Sequence, residues 1–508
     1  MALRYHLNDS NFTIYHRAAL GGLASTLIAW DNNPPEGINK PTVESDFVEI
    51  TWDESLTKQE ALRRILEASF KLTDDKLIDL PGQFIGEDAA DLKLAIHEGL
   101  CLTFLQHNKM RPGEKTPRVF PLKNADAENA DSITYKAINS YAHQKAQGTG
   151  LLDVVRRGEV GGFPIIATIP QSVIPGAMTG KKALQAKPEE AILLLYLIVG
   201  CAVFLLRPRT YKEKAQACIV VPNLTDLLDF ANSMQMLASS SQNFQRFSNT
   251  YLGRVVGGAE EAALSFLIDI EADNIATTPG VDGCQVIAMG KVAWDKNQIN
   301  RSISVKVGGY YEEIRVFRAA KQYLSKSKFI KMKDGKSFSV PDNPLPELIA
   351  CNLAARQHWC NHFKELVADK NDFRNLLFRK RGLHQVVKAI KDTEDIAIIR
   401  AFHKAWEMIM GQLGERASDN NLDFGRLVEV RQEKMRNEIL RLRTSDAAAN
   451  WFLKFCADAT KGGSLAPMRE DAELIRAFIF NRRNFDRLQN LLLFALVSYE
   501  SDKNKQSN

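Results

Sequence analysis

The spacing of apolar residues changes character once along this chain. Up to about residue 340, short alternating or β-branched runs mix with amphipathic helices, and beyond it the period settles at 3.6. Phe12–Tyr15 reads as a strand, followed by the helical run HRAALGGLASTLIAW. A helix opens at Thr57, an N-cap with Glu60 at the capping-box position. Lys214–Val221 ends in the β-branched run CIVV, which Pro222 is expected to stop, and Thr225–Met236 resumes as a helix. Within Val281–Val307 the alternating stretches CQVIAMGKVAW and RSISVKVGG predict an antiparallel pair. Lys328–Pro346, with a glycine, three prolines and several lysines, reads as a linker or exposed turn. Helices are then predicted over Pro346–Val367, Asp372–Lys391, Glu394–Leu413, Phe424–Arg443, Ala447–Ala459 and Glu470–Tyr499. The expected class is α+β: a mixed α/β domain over residues 1–330, a linker over 331–345, an all-α helical bundle over 346–500 and a disordered tail over 501–508.

One apolar run, Ala191–Leu206 (AILLLYLIVGCAVFLL), needs separate reading. Its sixteen residues fall short of the roughly 20 that span a bilayer, and Gly200 divides it into a buried helix and a strand. A membrane or partner helix in an interaction scaffold is the competing reading. The 508 residues exceed what one core holds, and 45% hydrophobic with 25% charged content is ordinary for globular domains. The net charge is +5 and the isoelectric point about 8.6, which permits nucleic acid as a partner without requiring it. Residues 346–508 hold 27 Lys and Arg against 22 Asp and Glu, a difference of +5, so the whole net charge falls in the predicted bundle. Cys101, Cys201, Cys218, Cys284, Cys351, Cys360 and Cys456 form no CxxC pair, and the first residues lack the apolar core of a signal peptide. Reduced thiols and a cytoplasmic location are the expectation.

Two regions concentrate cations. Leu105–Leu122, LQHNKMRPGEKTPRVFPL, carries Lys109, Arg111, Lys115 and Arg118, and Pro112, Gly113 and Pro117 should keep its backbone irregular. Gln106 and Asn108 at its entrance are amides able to read adenine edges, so the loop has the parts of a phosphate-gripping, base-inspecting finger. A solvated surface loop is the plainer alternative. In the bundle, Arg374, Arg379, Lys380 and Arg381 cluster, and Arg436 with Arg443, and Lys434 with Arg441, are seven apart, near one helix stripe. That stripe could bind a nucleic-acid backbone or be a solvated face.

Other chemistry is weak. GAMTGKK (176–182) is one residue too short for GxxxxGK[ST] and has Lys182 where the magnesium-binding hydroxyl belongs. Lys181 and Lys182 could touch phosphates, or the segment is a plain turn. Gly257 and Gly258 before EEAAL could hold an anion, with Arg254 nearby, although Glu260 and Glu261 already answer the helix dipole. His358 and His362, four apart, have a metal-ligand spacing but no clear third ligand. No serine elbow, nuclease carboxylate pattern or helicase box appears. The chain reads as a non-catalytic binding protein without a cofactor.

Four stretches together resemble a known family: NFTIYHRAALGGLASTLIAW, IHEGLCLTFLQHNKMRPGEKTPRVFPL, IPGAMTGKKALQAKPEEAILLLYLIVG and ACIVVPNLTDLLDFA. They are similar to the large subunit of type I CRISPR surveillance complexes (Cascade), MYXAN subtype, over roughly residues 10 to 265. The resemblance implies a non-enzymatic subunit bound to guide RNA and to the backbone, handle-binding and small subunits, with no membrane. Its N-terminal domain would sit at the 5′ end of the guide, inspect the protospacer-adjacent motif in target duplex DNA and start strand separation. Its bundle would hold the displaced single strand, and a nuclease-helicase or a transposition adaptor would be a further partner. An internal start near Met332 could supply extra small subunits. On this expectation Gln106 and Asn108 approach base edges, Lys109, Arg111, Lys115, Arg118, Lys181, Lys182 and Arg254 meet phosphates, and Arg379, Lys380, Arg381, Arg436 and Arg443 meet the displaced strand.

Overall fold

The structure, a computed structural model, describes residues 2–31, 33–105, 113–121, 132–144, 163–164, 178–179, 182–183, 185–186, 188–206, 216–239, 255–271, 280–289, 301–306, 311–325, 327–331, 337–341 and 343–500. These divide into two compact units, Met1–Gly308 and Gly309–Asn508. The α+β class holds: the first mixes strands and helices, and the second is a set of helices with one hairpin near its start.

In the first unit a five-stranded sheet has the order Val255–Val256, Ala202–Leu206, Gln216–Leu224, Val281–Ala288, Arg301–Lys306. All neighbours are antiparallel except the first two. Ala202–Leu206 and Gln216–Leu224 are buried on both faces, which is why they read as continuous apolar runs rather than alternating ones. Helix Ile14–Ala29 packs on Gln216–Leu224, and helix Ala259–Glu271 packs on that strand and on Val281–Ala288. The pair predicted within Val281–Val307 forms as expected. Ala191–Leu206 divides at Gly200 into short helices and a strand, and among the described residues no helix is long and apolar enough to cross a membrane.

Helix Ile14–Ala29 can sit where it does because two glycines let backbones touch. A Cβ on Gly22 would overlap the Tyr196 carbonyl oxygen and lie 2.6 Å from the Gly200 nitrogen. A Cβ on Gly200 would overlap the Ala18 carbonyl. Close helix crossing therefore fixes the residue type at both positions.

Several expectations are corrected. Phe12–Tyr15 is not a strand: Thr13 precedes a helix that begins at Ile14, and the strand of this region is Ala2–His6. Pro222 does not end its strand, which runs to Leu224. The neighbouring strand Ala202–Leu206 pairs only as far as Val220, so Pro222 faces no ladder on that side. Thr57 caps its helix by accepting the Glu60 N–H, but the Glu60 carboxylate binds Arg63 and Arg64 instead of completing a capping box.

In the second unit the segment read as a linker holds a hairpin, Ser327–Lys331 with Ser337–Pro341. The unit also begins earlier, with helix Tyr311–Leu324 packed on helices Leu345–Ala354 and Lys380–Ala389. Met332 lies outside the described residues, but a product starting there would lack that helix. The helix predicted over Pro346–Val367 breaks after Ala354, where Arg356 and His362 adopt left-handed backbone. The buried Asn352 amide stabilises the break by donating to the Trp359 and Asn361 carbonyls at 2.9 and 2.6 Å. Asp372–Lys391 is likewise two helices, Lys370–Leu377 and Lys380–Ala389, and Glu470–Tyr499 resolves into Ala472–Ile479 and Phe485–Ser498. Helices Phe424–Leu440 and Ser445–Asp458 match expectation to within a few residues, while Thr393–Asp419 starts where expected and continues past the predicted end at Leu413. Helix Phe485–Ser498, buried from Leu488 to Ser498, is the one the others surround. The tail 501–508 lies outside the described residues.

Gly22→Ala should cost about 3 kcal/mol or more, the upper end of overpacking penalties, because the obstacle is backbone. The urea midpoint of the variant checks this; an unchanged midpoint would contradict the crossing described.

Candidate nucleic-acid interface

The described part of the segment read as a basic finger, residues 113–121, adjoins a buried polar and apolar cluster. His97 is fully buried in helix Ala90–Leu102: its Nδ1 accepts the Ile78 N–H at 3.2 Å, and its Nε2 lies 3.0 Å from the Lys136 carbonyl, so the proton sits on Nε2. Tyr135 donates to the Asp75 carbonyl at 2.8 Å, and Leu77, Leu94, Tyr135 and Ala137 close over Phe120 and Ile133. These interactions hold the strand pair Arg118–Pro121 and Ser132–Tyr135. Just before this segment, Cys101, Phe104 and Leu105 lie in the core.

Of the finger's predicted residues, Gln106, Asn108, Lys109 and Arg111 lie outside the described residues. Lys115 is exposed. Arg118 departs from expectation: it opens a strand rather than an irregular loop, and its guanidinium grips the Glu114 carboxylate at 2.7 and 2.9 Å. That pairing holds the Glu114 carboxyl below its usual range. Lys181 and Arg254 also lie outside the described residues. Lys182 begins a short strand, Lys182–Ala183, that pairs antiparallel with Met178–Thr179, whereas a nucleotide-phosphate cradle leads from a strand into a helix. At the other glycine turn, the Glu261 carboxylate accepts the Gly257 N–H at 2.7 Å, occupying the donor an anion would have used.

The bundle sorts its cations by whether the fold has already used them. Lys370 pairs with Glu433 at 2.8 Å, and Arg374 meets Glu429 and Glu433, tying helix Lys370–Leu377 to helix Phe424–Leu440. Arg436 was expected on an outward stripe and is instead buried, 7% exposed, with its guanidinium over the Phe373 ring at 5.3 Å. Its aliphatic stem and flat head suit the space beside an aromatic, which a period count on the helix could not foresee. Arg443 at the far end of that stripe is exposed. Lys434 reaches Glu438 at 3.8 Å.

Arg487 is drawn into the core. It donates to Asp395 at 2.7 Å and reaches Asp392 at 2.8 Å and Glu394 at 3.0 Å. Asp395 is 0% exposed and also accepts from Trp359 Nε1, with His358 Nε2 2.8 Å away. Burial pushes the Asp395 carboxyl up, but His358, Arg487 and Trp359 together outweigh it and hold it below its usual range. The His358/His362 spacing thus serves structure: His358 binds Asp395, and His362 pairs with Glu365. Among the described residues no His, Cys, Asp and Glu group has a metal-holding arrangement.

Other cations are exposed, some on helix flanks, such as Lys388, Arg416, Arg426, Lys454 and Arg476, and others at the corners between helices. Arg379, Lys380 and Arg381 are exposed at the turn joining Lys370–Leu377 to Lys380–Ala389, with Arg381 3.5 Å from Glu500. Arg441 and Arg443, and Arg482 and Arg483, are exposed at two other corners. The reading from sequence missed Phe378, which precedes the first corner and is 84% exposed; a bulky apolar residue immediately before a run of cations was the available signal.

The described residues thus leave Lys115 exposed in the first unit and several groups of cations exposed in the second. Residues 4–195 match the DevT N-terminal domain, and residues 386–508 match the DevT C-terminal domain. A curated relative, the CRISPR-associated protein Cas8a1/Csx13 of Myxococcus xanthus (strain DK1622), is 25% identical over 373 residues, covering 68% of this chain. The match spans 61% of that relative's own length. These similarities put the chain in the class of CRISPR-associated large subunits. It belongs to the DevT family, MYXAN type, and carries that family's two domains in order.

Asp395→Ala should destabilise the second unit by about 3 kcal/mol, because it strands buried cationic partners. The carboxylate's contribution is present above the ordinary carboxylate pKa and lost as pH falls through its lowered value, so the variant should also show a shallower acid limb. Denaturant titrations between pH 7 and pH 2 measure both; a variant as stable as the parent would refute the assignment.

Proposed function

We propose that the chain is the non-catalytic large subunit of an RNA-guided Cascade complex. Family membership is the observation that carries this reading. In it the first unit lies at the 5′ end of the guide RNA, its basic finger inspects the protospacer-adjacent motif in target duplex DNA, and local opening there starts the R-loop. The bundle contacts the displaced strand. Backbone, handle-binding and small subunits complete the assembly, which recruits a nuclease-helicase or a transposition adaptor.

The distribution of charge supports this division of labour. A protein that delegates sequence reading to base pairing needs few base contacts and many to backbone phosphates. Lys115 is exposed beside the finger's strand pair, and the bundle's exposed cations include three groups at helix corners: Arg379 to Arg381, Arg441 with Arg443, and Arg482 with Arg483. Such corners suit a flexible single strand, which can bend from one to the next, better than a rigid duplex.

Co-purification of a short RNA with the assembled complex tests the assignment, and its absence would remove it. Lys109→Ala with Arg111→Ala should weaken target-duplex binding about tenfold near physiological salt. It should also flatten the slope of log affinity against log salt by roughly 1.8, about 0.9 for each phosphate no longer neutralised. Unchanged binding and slope would remove the finger from the proposal.

A further inference from the structure

The corner at Phe378 holds more than charge. Helix Lys370–Leu377 buries Phe373 and Leu376, and helix Lys380–Ala389 buries Leu383 and Val386. Between these stripes the chain must turn, and Phe378 falls at the turn with its ring in solvent. The turn is fixed by the backbone: the Phe378 N–H donates to the Arg374 carbonyl at 3.2 Å and the Arg379 N–H to the Leu376 carbonyl at 2.9 Å. Burying a phenylalanine is ordinarily a main source of a fold's stability, and this ring supplies almost none of it.

A second ring stands nearby. Helix Lys380–Ala389 packs on helix Tyr311–Leu324, closely enough that a Cβ on Gly382 would lie 3.2 Å from the Tyr323 carbonyl oxygen. Tyr323 is 45% exposed. One exposed aromatic residue, Phe378, thus directly precedes the exposed run Arg379, Lys380 and Arg381, and a second, Tyr323, lies on the helix packed against the one that follows; Lys380 has no ion-pair partner among the described residues. The same sequence of parts, an exposed ring at a helix end followed by outward arginines, recurs at Phe480, Arg482 and Arg483.

We propose that Phe378, with Tyr323 on the adjacent helix, is a stacking platform for unpaired bases of a single-stranded nucleic acid whose phosphates are held by Arg379, Lys380 and Arg381. This rests on the reading that the bundle contacts the displaced strand, and it names where the bases go. The cations favour this occupant: an apolar protein partner would have to desolvate three adjacent charges, whereas a nucleic-acid strand neutralises them and offers flat faces to the rings. Duplex DNA offers phosphates but keeps its bases stacked on each other.

The test uses the full chain and two labelled strands of equal length, one oligothymidylate and one abasic. Phe378→Ala should weaken binding of the oligothymidylate about tenfold and leave binding of the abasic strand unchanged, with no loss of thermal stability. Phe378→Trp should retain binding and show quenched indole emission when the strand is added, while Phe378→Leu should behave like the alanine variant. Arg379→Ala with Lys380→Ala and Arg381→Ala should weaken both strands and flatten their salt dependence. If Phe378→Ala binds both strands like the parent while the triple variant is weakened, stacking is refuted and the strand-contact reading stands. If the triple variant is also unchanged, this corner loses its part in both. If Phe378→Ala binds strands normally but sheds another subunit from the assembled complex, the ring is a protein contact and the proposal is overturned.

Discussion

A carboxylate with no exposed surface must be neutralised where it sits, and Asp395 imposes that requirement on the helical unit. Its partners come from separate segments: Arg487 from the enclosed helix, and His358 and Trp359 from the broken turn after Leu345–Ala354. Each donor reaches the carboxylate only if its own segment is in place, so the network sets the register of Phe485–Ser498 against Thr393–Asp419. Apolar packing alone would tolerate sliding by a turn; a buried ion with defined donors does not.

The same economy of charge decides which cations are left for a ligand. Arg374, Lys370, Arg436 and Arg487 are committed to holding helices together, by ion pairs at the surface, a ring stack under it, or the Asp395 network. Where a helix flank faces another helix, as at Lys370 and Arg374, its charges become structural. Lys380, Arg441, Arg443, Arg482 and Arg483 at corners stay exposed, as do Arg416, Arg426 and Lys454 on flanks. In the proposed interface, separate corners suit a pliable strand, and the aromatic rings beside the charges supply the stacking.

In the first unit the governing contact is steric. Gly22 and Gly200 bring helix Ile14–Ala29 against the turn before strand Ala202–Leu206, and the sheet and its covering helices assemble around that crossing. The strand pair Arg118–Pro121 and Ser132–Tyr135 is held by His97 and Tyr135 through backbone carbonyls.

Much was legible in the chain itself. Apolar periodicity located Thr393–Asp419, Phe424–Leu440 and Ser445–Asp458, and alternation located the pair Val281–Ala288 and Arg301–Lys306, because a stripe of buried side chains repeats with the element that buries it. Gly200 marked the break in the long apolar run, and the family signatures pointed to the DevT large subunits. What local pattern could not decide was any position whose fate depends on a distant neighbour. Arg436 and Arg443 share a helix stripe by count, yet Phe373 draws one inward and the other stays in solvent. Pro222 stays in its strand because the adjacent strand has already ended, and Phe378 stays in water because the two helices it joins bury other faces. Periodicity reports which side of an element is apolar; only the packed structure says what stands opposite each residue.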